Sequence, residues 1–134
     1  MRLLTREEFK KQVFARDKNK CVVCGAAAVD SHHIIDRKAF SDGGYYIANG
    51  VAVCDKCHLR AERMDISTDE LRRLAGIREI ILPPGLVGPL DKWANRIRED
   101  GSREPGPLFN DDGFRKICKH LLHIFVVPEE DIDK

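Results

Sequence analysis

What the chain lacks sets the first bounds. No apolar run approaches the roughly 18 residues of a membrane-spanning helix, so no such span is expected. The opening residues Met1-Arg2-Leu3-Leu4-Thr5-Arg6 hold no apolar core of signal-peptide length, and a cytoplasmic protein is expected. An excess of one charge is missing as well. The 23 Lys and Arg against 22 Asp and Glu leave a net +1, which argues against binding nucleic acid through the whole surface. Repeats and low-complexity tracts are also absent. With 134 residues, 43% hydrophobic and 34% charged, the chain has material for one modest core and is not disordered throughout.

Cysteine is present in an odd number, five, which fits reduced thiols and metal binding better than a disulfide framework. Four of them form two matched knuckles, Cys21-Val22-Val23-Cys24 and Cys54-Asp55-Lys56-Cys57. Each knuckle presents two sulfurs from one tight turn, so the pair can close a tetrahedral site for a structural Zn²⁺. The fifth, Cys118, shares a helical apolar stripe with Phe114, Ile117, Leu121 and Leu122 and reads as a small buried hydrophobe.

Charge is nearly balanced overall but not evenly spread. The first 20 residues carry Arg2, Arg6, Lys10, Lys11, Arg16, Lys18 and Lys20 against three acids, whereas the stretch 129–134 is acidic. A local phosphate-binding face on a nearly neutral molecule is one reading; solvated helix faces are the other.

Thr5-Arg6-Glu7-Glu8 is a capping-box pattern opening a helix whose apolar face is Phe9, Val13 and Phe14 and which ends near Asp17. Strands are expected over Val29–Ile35, Tyr45–Ile47 and Val51–Val53, with a helix from about Asp55 to Met64. A second capping box at Ser67 opens a helix stopping at Gly76. Beyond it, Ile80–Leu82 reads as a short strand, the Pro/Gly-rich stretch as a connector, and about 111–123 as a final helix.

Taken together, Cys21-x-x-Cys24-Gly25, Ser31-His32-His33-Ile34-Ile35, Asn49-Gly50-Val51 and Val53-Cys54-x-x-Cys57-His58 resemble the HNH endonuclease family over residues 17 to 62. The resemblance implies an α+β fold: a small ββα-metal core, stapled by the double CxxC knuckle, flanked by an N-terminal helix and C-terminal helices. Residues 1–76 would form the nuclease domain and 77–134 a turn-rich extension. It also implies a metal-dependent endonuclease that hydrolyses phosphodiesters in DNA, with RNA still open and a bacterial or phage origin in keeping.

By the same resemblance, His32 and His58 would hold a catalytic divalent cation such as Mg²⁺ or Mn²⁺, and His33 would be the base that activates water. Adjacent residues of a strand face opposite ways, which suits two different tasks for the two histidines. Asn49 matches the family's central asparagine, which orients the base; a plain Asn-Gly turn is the competing reading. Glu62, four residues after His58 on the same helical face, fits a further metal ligand or an ordinary surface carboxylate. Arg37, Lys38, Arg60 and Arg63 are candidates for contacts with the nucleic-acid backbone. Trp93 is read as an anchor of the extension, with stacking on a base as the alternative. A zinc-stapled binding or assembly module without turnover is the other functional class, and the oligomeric state is open.

Overall fold

The computed structural model describes residues 1–126; the acidic stretch 129–134 lies outside them. Helix α1 (Arg6–Arg16) starts as its sequence dictates. The Thr5 hydroxyl accepts from the Glu8 amide at 3.1 Å, and the Glu8 carboxylate accepts from the Thr5 amide at 2.9 Å. Phe9 and Val13, one turn apart, are its buried face. Lys18 and Asn19 then take positive φ and turn the chain into the first knuckle.

Strands β1 (Asp30–His33) and β2 (Gly50–Val53) pair antiparallel, with His33 opposite Gly50 and His32 opposite Val51. Alternation on β2 divides its side chains between two clusters. Val51 and Val53 join Ile34, Ile35, Ala61 and Leu71, whereas Ala52 lies with Leu4, Phe9 and Val13 beneath α1. Gly50 is where α1 crosses closest: a Cβ there would run into the Phe9 ring and sit 2.8 Å from Val13 Cγ2. Helix α2 (Asp55–Glu62) follows one residue after β2 and completes a ββα unit.

Helix α3 (Thr68–Ala75) begins at Ser67, whose hydroxyl accepts from the Glu70 amide, and ends at Gly76 in the left-handed region. The Glu70 carboxylate pairs with Arg73 at 2.7 Å. The extension then supplies Leu90 and Ala94 to the same cluster as Ile34 and Val51, so one core draws on both sides of residue 76. A short hairpin, β3 (Arg96–Ile97) and β4 (Arg103–Glu104), precedes α4 (Asp112–Cys118), and Phe114 and Cys118 pack with Trp93 and Leu108.

The architecture is α+β with the two knuckles meeting at one end of the ββα unit. Three expected elements differ. Tyr45–Ile47 is not a strand but leads into a 3₁₀ turn at Ile47–Asn49, because Gly43 and Gly44 take positive φ and the Gly44 carbonyl is claimed by the Asn49 side chain. Ile80–Leu82 has no strand partner; Ile81 and Leu82 pack on the core from irregular chain. The last helix is α-helical only to Cys118, whose φ of −109° leaves helical geometry, and continues as 3₁₀ over Lys119–Ile124. Among the described residues no helix is long and apolar enough to cross a membrane.

Candidate metal centre and nucleic-acid cleft

The two knuckles bring their four sulfurs within 4.8 Å of one another. Cys24 and Cys54 lie 3.7 Å apart. Four sulfurs about 2.3 Å from a tetrahedral centre are separated by about 3.8 Å, whereas a disulfide needs about 2.05 Å. The spacing is that of a metal cage. Burial pushes the Cys21 thiol up, but the backbone amides of Cys24, Cys54 and Val23 outweigh it and bring the thiol down to about 7. Cys57 goes the other way, to about 12, through burial and the neighbouring sulfurs. A cation among the four sulfurs would displace their protons and relieve this crowding, and the set fits zinc.

A second cluster forms where β1 meets α2. His32 Nδ1 lies 3.4 Å from Glu62 Oε1, and His58 Nε2 lies 3.3 Å from the same oxygen. Helical spacing of i and i+4 brings His58 and Glu62 together; the strand brings His32 across to them. Neither ring nitrogen of the buried His32 has a hydrogen-bond partner. Two unpartnered nitrogens in a sealed position are costly unless they serve as donors to something else. Two imidazoles and a carboxylate form a donor set that fits a divalent cation.

Electrostatics agree with the geometry. Burial pushes His32 down to about 4, so it is a neutral imidazole. The Glu62 contact raises His58. Burial alone would raise Glu62, but His32, His58 and the Lys92 charge hold its carboxyl well below the usual range.

His33 points away from this cluster, as strand alternation requires. Its ring stacks on Phe9 with centroids 4.7 Å apart and meets the edge of Tyr45 at 5.0 Å. Burial pushes it down to about 4, and Nε2 has no partner. Asn49, 1% exposed, clasps the loop that follows β1. Its Oδ1 accepts from the Ile35 amide at 3.0 Å, and its Nδ2 donates to the carbonyls of Ile35 and Gly44 at 3.1 and 3.2 Å.

His33, His58 and Glu62 open into a cleft of about 1050 Å³. Helix α1 lines it with Arg6, Lys10 and Lys11, and Arg37 and Lys92 line it as well, together with the acids Glu7, Asp30 and Asp36. Of the four basic residues named one by one as candidates for backbone contact, Arg37, Lys38, Arg60 and Arg63, only Arg37 reaches this cleft. Lys38 pairs with Asp111 at 3.2 Å, Arg63 lies 3.7 Å from Asp65, and Arg60 is exposed; none of the three lines the cleft. Trp93 is an anchor: 4% exposed, its Nε1 donates to the Glu62 carbonyl at 2.8 Å.

Sequence reasoning missed Lys92 and its partner Asp36. The ammonium donates to Asp36 Oδ1 at 2.8 Å and lies 3.8 Å from Glu62 Oε1. One lysine in a turn-rich stretch carries no signal. Arg6, Lys10 and Lys11 had one, the basic excess of the first 20 residues, but nothing in it pointed at the cleft.

A hairpin and helix that hold a four-cysteine cage at one end and a His/His/Glu cluster beside a cleft define a ββα-metal unit. Residues 21–63, about a third of the chain, match the family model for HNH endonuclease. No curated protein and no solved structure matches the chain.

Proposed function

We propose that the protein is a metal-dependent HNH endonuclease that hydrolyses phosphodiester bonds in DNA. The observation that carries this reading is the placement of His33 beside the His32/His58/Glu62 cluster on one cleft that α1 lines with Arg6, Lys10 and Lys11. His32, His58 and Glu62 hold the cation. Bound there, Mg²⁺, Mn²⁺ or another divalent ion would neutralise charge growing on the phosphate and departing oxygen. His33 accepts the proton of the attacking water, the ring being fixed against Phe9 and Tyr45. Asn49 keeps the loop after β1, and with it the base, in register. The four-cysteine zinc site is scaffold.

Arg6, Lys10, Lys11 and Arg37 guide the strand through backbone contacts, with Lys38, Arg60 and Arg63 farther out. Contacts of this kind give affinity without sequence information, so little sequence preference is expected. Relaxation of supercoiled plasmid with Mg²⁺ or Mn²⁺, run beside an RNA substrate, tests the proposal. Wild type should nick DNA, and His33→Ala should lose cutting at unchanged zinc content and circular dichroism. A wild type inert across divalent metals would leave a zinc-stapled binding module; normal cutting by His33→Ala would exclude it as the base.

A further inference from the structure

Lys92 comes from outside the matched segment, yet it sits at the centre of the site. Only 3% exposed, it faces two carboxylates, Asp36 at 2.8 Å and Glu62 at 3.8 Å, and its side chain forms part of the cleft wall. The Glu62 oxygen it approaches is the one that His32 and His58 both face.

The chain goes to some length to put it there. Asp91, 4% exposed, accepts from the Trp93 and Asn95 amides at 2.9 Å and from Arg103 Nε at 3.1 Å, which ties 91–95 into a closed loop. Ala94 holds φ +63° in that loop, a conformation L residues rarely adopt and one that costs free energy. The Asp36 amide donates to the Lys92 carbonyl at 2.8 Å, so the same two residues are joined twice. A buried ion pair is a poor device for stability, because desolving both charges offsets their attraction. A strained loop that delivers such a pair to a cleft wall calls for another role.

We propose that Lys92 is a positioning residue of the catalytic centre, supplied by the extension, whose fixed positive charge tunes the cation site and favours the scissile phosphate. The phosphate half rests on the nuclease reading; the cation half does not. A positive charge beside Glu62 opposes binding of a cation and favours binding of an anion. Its removal therefore moves two measurements in opposite directions, whereas mere loss of packing would weaken both.

The test uses the full zinc-loaded chain and compares Lys92→Met, Lys92→Arg, Asp36→Asn and the double variant Lys92→Met/Asp36→Asn. Mn²⁺ affinity, read from the paramagnetic resonance of free Mn²⁺, should rise on the order of tenfold in Lys92→Met. Plasmid nicking at saturating Mn²⁺ should fall roughly a hundredfold. Lys92→Arg should restore most of both. In the double variant, where the local charge is balanced again, Mn²⁺ affinity should return toward wild type while cutting stays low. Weaker Mn²⁺ binding in Lys92→Met, or full recovery of cutting in the double variant, overturns the proposal. A wild type that binds Mn²⁺ but cuts nothing removes the nuclease reading and with it the phosphate half, and the affinity shift still decides the other.

Discussion

Replacing Asn49 with alanine removes three hydrogen bonds from one buried side chain, and the cost can be worked from the groups left behind. The Ile35 amide loses its acceptor at 3.0 Å, and the Ile35 and Gly44 carbonyls lose donors at 3.1 and 3.2 Å. With the side chain 1% exposed, water reaches these groups only if the loop opens. An unsatisfied buried amide or carbonyl costs about 1–3 kcal/mol; the Ile35 amide and carbonyl lose the Asn49 partner while the Gly44 carbonyl keeps the Tyr46 amide, so the sum is about 3–4 kcal/mol. That is a large part of a total stability of about 5–15 kcal/mol. For a domain of this size it lowers the melting temperature by about 10–15 °C. Calorimetry at saturating zinc measures it, and hydrogen exchange at the Ile35 amide localises it. Cutting assayed well below the new midpoint should still drop, because His33 lies two residues from the released amide. A midpoint lowered by less than about 3 °C, with the Ile35 amide still protected, would refute the clasp and leave Asn49 a plain turn residue.

Two further outcomes separate the metal sites and the thiols. Cys24→Ser should lose zinc and native circular dichroism together, whereas His58→Ala should keep both and lose cutting; equal loss of structure in the two variants would remove the division of labour. In the folded, zinc-loaded protein Cys118, 0% exposed in the cluster with Phe114, should resist a thiol reagent until denaturant is added. Fast labelling mapped to Cys118 in the zinc-loaded protein would place it elsewhere than in the core.

The elements nearest the knuckles were the legible ones. Thr5 and Glu8 announce α1 and Ser67 and Gly76 bound α3, because each rests on contacts only a few residues apart; the cage, which joins cysteines 30 positions apart, is announced by the recurrence of the same four-residue knuckle. The Tyr45–Ile47 segment failed for the opposite reason. Its β-favouring residues are overruled by Asn49, whose side chain takes the Gly44 carbonyl that a ladder would have needed. Lys92 illustrates a further limit: its neighbours Asp36 and Glu62 lie 56 and 30 positions away in the chain, and no local pattern reports a pairing that distant. The cleft-lining cations were half legible, since the basic front was visible but its alignment with the cleft depends on Phe9 and Val13 seating α1 across Gly50.

The seating of α1 and the grip of the extension bear on how the molecule can be recombined. Phe9, from before the matched segment, is the surface on which the His33 ring rests, and Trp93 and Cys118, from after it, both reach the carbonyl of Glu62. A graft of residues 21–63 into another scaffold would carry His32, His33, His58 and the four knuckle cysteines and still arrive without the parts that aim them. The transplantable unit is wider than the motif that betrays it, and a swapped segment will work only in hosts that already present an aromatic beneath the second histidine and a tether at the end of α2.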